Sequence, residues 1–270
     1  MRYRSLVTPI LLLTLSSCAQ AISPIDDRQE PIKAVETSAT AEALERRERI
    51  RAVETSATAE ALKRKERSEA RLRSEGVPVN PSLPVIEDVG SLKRRVKEEI
   101  AWRAMALLVV AGKGEGLDQP TVDKVVADYD LDEHLTPKEA TFINQVSPSE
   151  HDRIQFSWRY EAAWTLLWAL GYVDELEKPT GTCDVPRAVN FFLERTAAQF
   201  IADSKLRPIE HIADEADLIY RYHWAVVDAR INGRPSPAAL EPGVTMERHH
   251  ALNWLIGYMD QEWDDVSTDT

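Results

Sequence analysis

The chain has 270 residues, a formal net charge of −12 at pH 7 and two cysteines. This acidic balance argues against a protein that binds nucleic acid or an anionic membrane surface through its charge, because those partners attract cationic faces. The length leaves room for one well-buried core.

The N-terminus has the pattern of an export signal. Arg2 and Arg4 precede an apolar run over residues 6–15, which is too short to cross a bilayer as a helix. The run ends in the sequence Leu-Ser-Ser-Cys at residues 15–18, which resembles the bacterial lipobox. By that resemblance, residues 1–17 are a lipoprotein signal peptide. Cys18 is then the first mature residue and carries lipid such as palmitate, which attaches the protein to a membrane.

An alternative is an ordinary signal peptide cut after Ala21, because the small residues at that site suit the peptidase that removes ordinary signal peptides. Cleavage there would give a soluble secreted or periplasmic protein. Ala19 follows the cysteine where Asp would retain the protein at the inner membrane. By resemblance to enterobacterial sorting, we therefore expect the outer membrane, facing the periplasm. With lipid on Cys18, Cys183 has no partner in the chain, and no disulfide framework is predicted.

A repeated sequence follows the signal, and residues 34–44 return as residues 52–62, an offset of 18 residues. No Gly or Pro interrupts residues 34–75, which are rich in Ala, Glu, Lys and Arg. We therefore predict a tether and long helical stalk over residues 18–75, solvated rather than paired in a coiled coil, because Val35 and Leu44 point to nearly opposite sides.

An alternative for the stalk is a helix that binds a partner. Its basic residues could contact a lipid headgroup or peptidoglycan, although interleaved glutamates favour a solvated face. These residues are Arg46, Arg47, Arg49, Lys63, Arg64, Lys65 and Arg67.

Residues 76–270 are predicted to form a single multi-helix globular domain, so that the fold class is all-α. This part holds 19 Lys and Arg against 33 Asp and Glu, whereas residues 28–75 hold 12 against 10. A Pro-rich segment over residues 76–84 opens the domain, and strand-type alternation is scarce after it. Capping residues and prolines predict helices over residues 91–111, 118–127, from 136, from 147, 184–200, 208–232 and 246–258.

The most apolar segment, residues 155–176, is predicted to be the central helix. Its apolar residues recur at helical spacing on most of the circumference, which is typical of a helix surrounded by other helices. Gly171 offers a stop signal near its end.

Several motifs distinguish the predicted domain. They are Trp158-Arg159 with Glu161-Ala162, Trp168 to Gly171, Tyr220-Arg221 with His223-Trp224, Glu247-Arg248 with Ala251 to Trp254, and Trp263 to Val266 with Asp269-Thr270. Together with the entry sequence SEGVPVNPSLP, they resemble the bacterial domain-of-unknown-function family 4272 over residues 67–270. The resemblance implies an architecture and no reaction, and the lipobox and stalk lie outside the family core.

Glu161 on the central helix is the first candidate for a functional side chain. A buried carboxylate needs a partner, and Arg103, Arg221 and Arg248 are the candidates. Two interpretations stay open, which are an ion pair that fixes helix packing and a carboxyl of raised pKa at a cleft.

The remaining candidates lie in the family motifs. His223 and His250 are the candidate catalytic partners of Glu161, and the candidate binding residues are Trp158, Arg159, Arg221, Glu247 and Arg248. Glu247 and His250 have the Glu-x-x-His spacing of di-iron bundles, but a second such motif is missing, and we predict no metal site. No phosphate loop, zinc-protease motif or dinucleotide fingerprint occurs, so no cofactor is predicted.

Two functions remain. The first is a binding or scaffold module without a catalytic signature, held at the envelope by lipid on Cys18, with an envelope protein or peptidoglycan as its partner. The second is a hydrolase-type enzyme that uses Glu161 with His223 or His250 and a nearby arginine. The enzyme requires those side chains to converge on a water-accessible cleft.

Overall fold

The computed structural model describes residues 58–270, and every regular element in that range is a helix. The all-α class is therefore confirmed for this part of the chain. The predicted signal peptide, Cys18 and the first copy of the repeat lie outside the described residues.

Within the described range the chain forms ten α-helices and four short 3-10 helices. The α-helices are α1 (Ala59–Ser74), α2 (Lys97–Glu115), α3 (Gln119–Asp128), α4 (Pro137–Ile143), α5 (Glu150–Ser157), α6 (Arg159–Ala169), α7 (Val185–Leu193), α8 (Ala197–Asp203), α9 (Ile209–Ile231) and α10 (Pro242–Leu255). The 3-10 helices are Asp132–His134, Pro237–Ala239, Tyr258–Asp260 and Trp263–Asp265.

Two apolar helices, α2 and α6, form the centre of the domain. Every residue over 103–111 in α2 and over 160–169 in α6 is buried. Helix α2 packs against α5 and α6, while α10 packs against α6 and α9. A helix that is apolar all round is stable only when neighbours cover each side, and this arrangement supplies them.

The predicted central helix over residues 155–176 is buried as expected, but its bounds are wrong. The segment contains the end of α5 and all of α6, with Trp158 between them, and α6 ends at Ala169. The carbonyls of Ala169 and Leu170 accept the backbone N–H groups of Arg207 and Lys205 at 2.9 and 2.7 Å. A neighbouring loop thus satisfies the last carbonyls of α6, and the helix stops there.

Most of the predicted helix starts follow local capping chemistry. Asp118 and Asp184 cap α3 and α7, and Thr136 forms a complete capping box with Glu139 at the start of α4. Helix α5 is capped by Ser149, two residues after the predicted Ser147. Each of these caps involves residues three apart, which the sequence shows directly.

The predicted start of α2 at Ser91 is wrong, because the segment before α2 has another role. The backbone N–H groups of Lys93 and Arg95 donate to the carbonyls of Ile256 and Leu255 at 3.2 and 3.1 Å. The segment therefore closes the end of α10, and α2 begins only at Lys97.

Three other predicted bounds also differ. Helix α2 passes Gly112 and ends at Gly116, whose φ of 107° is left-handed. Helix α10 is capped by Glu241, so Thr245 lies inside it. The predicted helix over residues 184–200 is two helices, since Thr196 forms a second capping box that starts α8.

Helix α1 packs against α9, although the sequence analysis assigned its residues to a solvated stalk. Leu72 is buried, and so is the long side chain of Arg64. Nη1 of Arg64 donates to the carbonyls of Ile86 and Glu87 at 3.3 and 3.1 Å, and Nζ of Lys65 donates to the carbonyl of Leu83 at 2.6 Å. The basic side chains of α1 thus hold the segment that follows the Pro-rich entry, and α1 is part of the packed domain.

Gly114 on the central helix α2 lets α5 approach to backbone contact, which makes this glycine a test of the packing. A Cβ at this position would lie 2.6 Å from the backbone nitrogen of Ser157 and 2.8 Å from the carbonyl oxygen of Arg153. Backbone cannot rotate away as a side chain can. We expect Gly114→Ala to lower the free energy of unfolding in urea by about 1–3 kcal/mol.

Gly181→Ala is the matched control, because a Cβ there meets nothing within 4 Å. Its unfolding free energy should stay within about 0.5 kcal/mol of wild type. Equal stabilities of the two variants would contradict the close crossing of α2 and α5.

Candidate functional site

Glu161 lies in the first turn of α6 and is buried. Its Oε1 accepts the backbone N–H of Cys183 at 2.6 Å, and its Oε2 lies 3.9 Å from Nη2 of Arg248 without a hydrogen bond of its own. Burial raises the pKa of Glu161, while the hydrogen bond from Cys183 and the charge of Arg248 act in the opposite direction. Glu161 is therefore a desolvated carboxyl with one strong partner and one distant one.

Arg248 on α10 is the counterpart of Glu161 and is also buried. Its Nη1 donates to the carbonyl of Glu177 at 2.6 Å, while its Nε is buried without a partner. Burial lowers the pKa of Arg248, although the charge of Glu161 opposes this. The shifts of both residues agree that desolvation outweighs their attraction across 3.9 Å.

Glu161 and Arg248 together hold the loop between α6 and α7. Glu161 binds the loop at Cys183, and Arg248 binds it at Glu177. The pair therefore fastens both ends of residues 177–183 to the helical core. These contacts fit the packing interpretation, because each side chain binds a backbone group of the loop.

A second ion pair, between the half-buried Arg159 and the buried Glu247, joins α6 to α10. Nη1 of Arg159 donates to Oε2 of Glu247 at 2.9 Å. Burial raises the pKa of Glu247, and the charge of Arg159 partly offsets this. The ring of Trp158 packs so closely on Gly243 that a Cβ at Gly243 would lie only 2.6 Å from the nearest ring atom. Trp158, just before α6, and Arg159, at its start, thus meet the same face of α10.

The other two predicted partners of Glu161 have different partners. Arg103 pairs with Glu139, the residue that also completes the capping box of α4. Arg221 pairs with Asp217 on its own helix, and the distance between Nη2 and Oδ1 is 2.8 Å. Of the three candidates, the structure places only Arg248 beside Glu161.

The histidines form separate contacts. Nδ1 of His223 on α9 lies 2.8 Å from Nδ1 of His249 on α10, so the two rings share a hydrogen bond across the helix interface. The ring of His250 packs edge-on against Trp263, and its Nε2 is buried without a partner. His249 has the lowest exposure of the three, and its contact with His223 has no signal in the sequence.

Glu161, His223 and His250 are therefore not brought together in the contacts of the described residues. Glu161 contacts Cys183 and Arg248, whereas His223 contacts His249 and His250 packs against Trp263. No group of three or more His, Cys, Asp or Glu side chains in residues 58–270 is arranged to hold a metal ion.

Arg248 also lines a shallow cleft between α1, α9, α10 and the loop after α6. Its polar walls include Arg71, Lys178, Glu215, Tyr222 and Arg248, and its floor is apolar. The open volume is about 260 Å³, counted out to solvent. Most of that volume is open to solvent, and the enclosed part has room for about one water molecule, so a partner would lie across the cleft rather than inside a pocket.

One wall of the cleft is a tight polar cluster around Glu75. Its carboxylate accepts the hydroxyl of Tyr222 at 2.5 Å and Nε of Arg71 at 3.0 Å, and Nζ of Lys178 lies 3.7 Å away. Burial acts to raise the pKa of Glu75, but the hydrogen bonds from Tyr222 and Arg71 prevail and lower it. This wall is therefore ionised and rigid.

The opposite wall carries Glu215, a half-buried carboxyl on α9. Burial raises its pKa, and the charges of Arg71 and Arg248 act against that rise. Glu215 is the least satisfied charged group of the cleft. The sequence analysis missed Glu215, Lys178 and Tyr222, because their grouping depends on how α1 and α9 pack.

The profile of the family described as Domain of unknown function (DUF4272) matches residues 64–266. The chain belongs to this family. The match begins inside α1, so at least the second half of that helix is part of the DUF4272 domain. Comparison with curated proteins and with solved structures found no match. No helix in residues 58–270 is long and apolar enough to cross a membrane.

The buried histidines of this DUF4272 domain predict a loss of stability in acid. Burial lowers the pKa of His223 to about 4 and that of His250 to about 3, and it also lowers the pKa of His249. A histidine with a depressed pKa stabilises the fold fully above its unfolded pKa, near 6.5, and progressively less as the pH falls below it.

We expect the free energy of unfolding to fall more in wild type than in His250→Phe between pH 7.5 and 5. Wild type should lose on the order of 2 kcal/mol more than the variant, because the pKa of His250 is lower in the folded protein than in the unfolded chain. Urea titrations at both pH values measure it, with His151→Gln, at an exposed histidine on α5, as the control that should follow wild type. Parallel losses in wild type and His250→Phe would contradict a buried neutral His250.

Proposed function

We propose that this protein is a binding or scaffold module of the bacterial envelope, attached by lipid on Cys18 and acting through the cleft between α1, α9 and α10. The proposal rests on one observation, which is that candidate catalytic side chains already have partners within the domain. Glu161 and Arg248 are occupied with backbone atoms of the loop at residues 177–183, and His223 is occupied with His249.

The cleft supports a binding role because it has charge of both signs and an incompletely satisfied carboxyl. Arg71, Lys178 and Arg248 line the cleft together with Glu215, and Glu75 lies behind its wall in contact with Arg71 and Lys178. A partner that offers both an amine and a carboxylate would match these walls, and envelope proteins and peptidoglycan peptides both do. The hydrolase alternative lacks this support, since its three side chains do not converge.

The N-terminal sequence supports attachment to the envelope, with the outer membrane facing the periplasm as the proposed site. Arg2 and Arg4, the apolar run and the lipobox agree with one another. Secretion as a soluble protein after cleavage at Ala21 is the alternative.

The lipid is tested by metabolic labelling with a fatty-acid analogue in a bacterial host. We expect the wild-type chain to carry label and to sediment with membranes, and Cys18→Ser to lose both. Cys183→Ser is the matched control, because Cys183 is the other cysteine of the chain and should leave the labelling unchanged. A soluble, unlabelled wild-type protein that begins at Ile22 would establish the alternative.

The cleft is tested by neutralising its walls. We expect the full chain to retain a partner from envelope extract or to sediment with purified peptidoglycan. We expect Glu215→Gln with Lys178→Gln to reduce that recovery at least about fivefold, since two charged contacts on the order of 1 kcal/mol or more are removed together. Arg153→Gln, at an exposed residue of α5, is the control and should bind as wild type does.

Binding that is equal in all three proteins would place the contact elsewhere on the domain. Recovery of nothing above an unrelated lipoprotein would contradict the binding module itself.

A further inference from the structure

The charges that line the cleft are separated by sign. On one wall two cations share the carboxylate of Glu75, with Nε of Arg71 at 3.0 Å and Nζ of Lys178 at 3.7 Å from its oxygens. On the opposite wall Glu215 forms no ion pair in the described part of the chain, and the charges of Arg71 and Arg248 act on it only from a distance. The cleft therefore presents an excess of positive charge on one side and an unpaired carboxylate on the other.

The cleft lacks the apolar surface through which proteins usually bind one another. None of the exposed large apolar side chains in the part of the chain that the structure describes lines it. The core of a protein–protein interface is mainly apolar, with charged residues at its rim. The enclosed part of the cleft has room for about one water molecule, which is too little for an inserted anchor side chain. A small charged group on a flexible polymer therefore fits better than a folded protein.

We propose that the cleft binds the amino-acid end group of an uncross-linked peptidoglycan peptide, in which an ammonium and a carboxylate stand on one carbon atom. This inference rests on the proposed binding function and names its ligand. The carboxylate of the end group lies against Lys178 and Arg71, and the ammonium lies against Glu215. Each charge of the ligand then meets an opposite charge, in the charge-assisted hydrogen bonds that are the strongest of their kind.

The size of the cleft selects the spacing of the ligand charges. Lys178 and Glu215 line the same open volume of about 260 Å³, so ligand charges that reach both walls must be separated by few bonds. The free end of the diamino acid in a peptidoglycan peptide has this spacing. A cross-link converts its ammonium into an uncharged amide, which has no ionic attraction for Glu215. The site therefore distinguishes uncross-linked from cross-linked peptides.

The affinity of one such end group is low, because a ligand of this size forms few contacts. The lipid proposed at Cys18 compensates for this. It holds the domain close to the peptidoglycan layer and thereby raises the effective concentration of the end groups around the cleft.

Titration calorimetry on the full chain in detergent tests the ligand with three probes. The first is a peptidoglycan tetrapeptide with a free diaminopimelate end, the second has the ammonium of that end acetylated, and the third has the carboxylate on the same carbon amidated. We expect the free peptide to bind, and each modified peptide to bind roughly tenfold more weakly, because one charge-assisted contact is lost.

Two variants assign the walls of the cleft. Glu215→Gln should weaken the binding of the free peptide and leave the acetylated peptide as weakly bound as by wild type, since the contact with the ammonium is already missing. Lys178→Gln should act in the same way on the free and the amidated peptides. Arg153→Gln, at an exposed residue of α5, should bind all three peptides as wild type does.

Equal affinities of the wild-type chain for the three peptides, or no binding of any of them, would overturn the proposal without reference to any variant. A variant that weakens all three peptides alike would contradict the assignment of its wall. If the peptides neither bind nor compete, while an envelope protein is still retained through Glu215 and Lys178, the binding module stands and its ligand is a protein. Loss of both peptide binding and recovery from the extract would contradict the proposed function itself.

Discussion

The apolar helices α2 and α6 must be covered by other helices on every side, and the rest of the domain depends on this constraint. Both helices are buried through most of their length, so every side of each needs a neighbour. Helices α5 and α10 provide much of that cover, and Gly114 lets α5 approach to backbone contact. The price is that charged residues at the ends of these helices are drawn inside, where each requires a partner.

The buried polar residues are best understood as the answer to that requirement. Glu247 meets Arg159 and Glu139 meets Arg103, and each pair joins a central helix to a helix that covers it. Glu161 and Arg248 differ, because their mutual distance of 3.9 Å is long and each has a closer partner in the loop backbone. Such groups stabilise the positions of loops more than they stabilise each other.

The edge of the domain differs from its centre. Helix α1 lies on α9 through polar anchors in its first half and through Leu72 in its second half. The cleft opens beside that second half, where Glu75, Arg71 and Tyr222 meet. The cleft and the packing of α1 therefore share the side chains of Arg71 and Tyr222.

The sequence alone determined what depends on neighbours a few residues apart. Asp118, Thr136 and Asp184 were identifiable as caps because a cap bonds a backbone group three residues away, and the burial of α6 followed from its apolar circumference. The tertiary structure decided what depends on the rotation and contact of distant helices. It selected Arg248 over Arg103 and Arg221 as the neighbour of Glu161, and it brought His223 to His249. It also delayed the start of α2, because the segment after Ser91 closes α10 instead. Side chains separated by tens of residues meet only when two helices are set at one angle and register, and no local pattern encodes that choice.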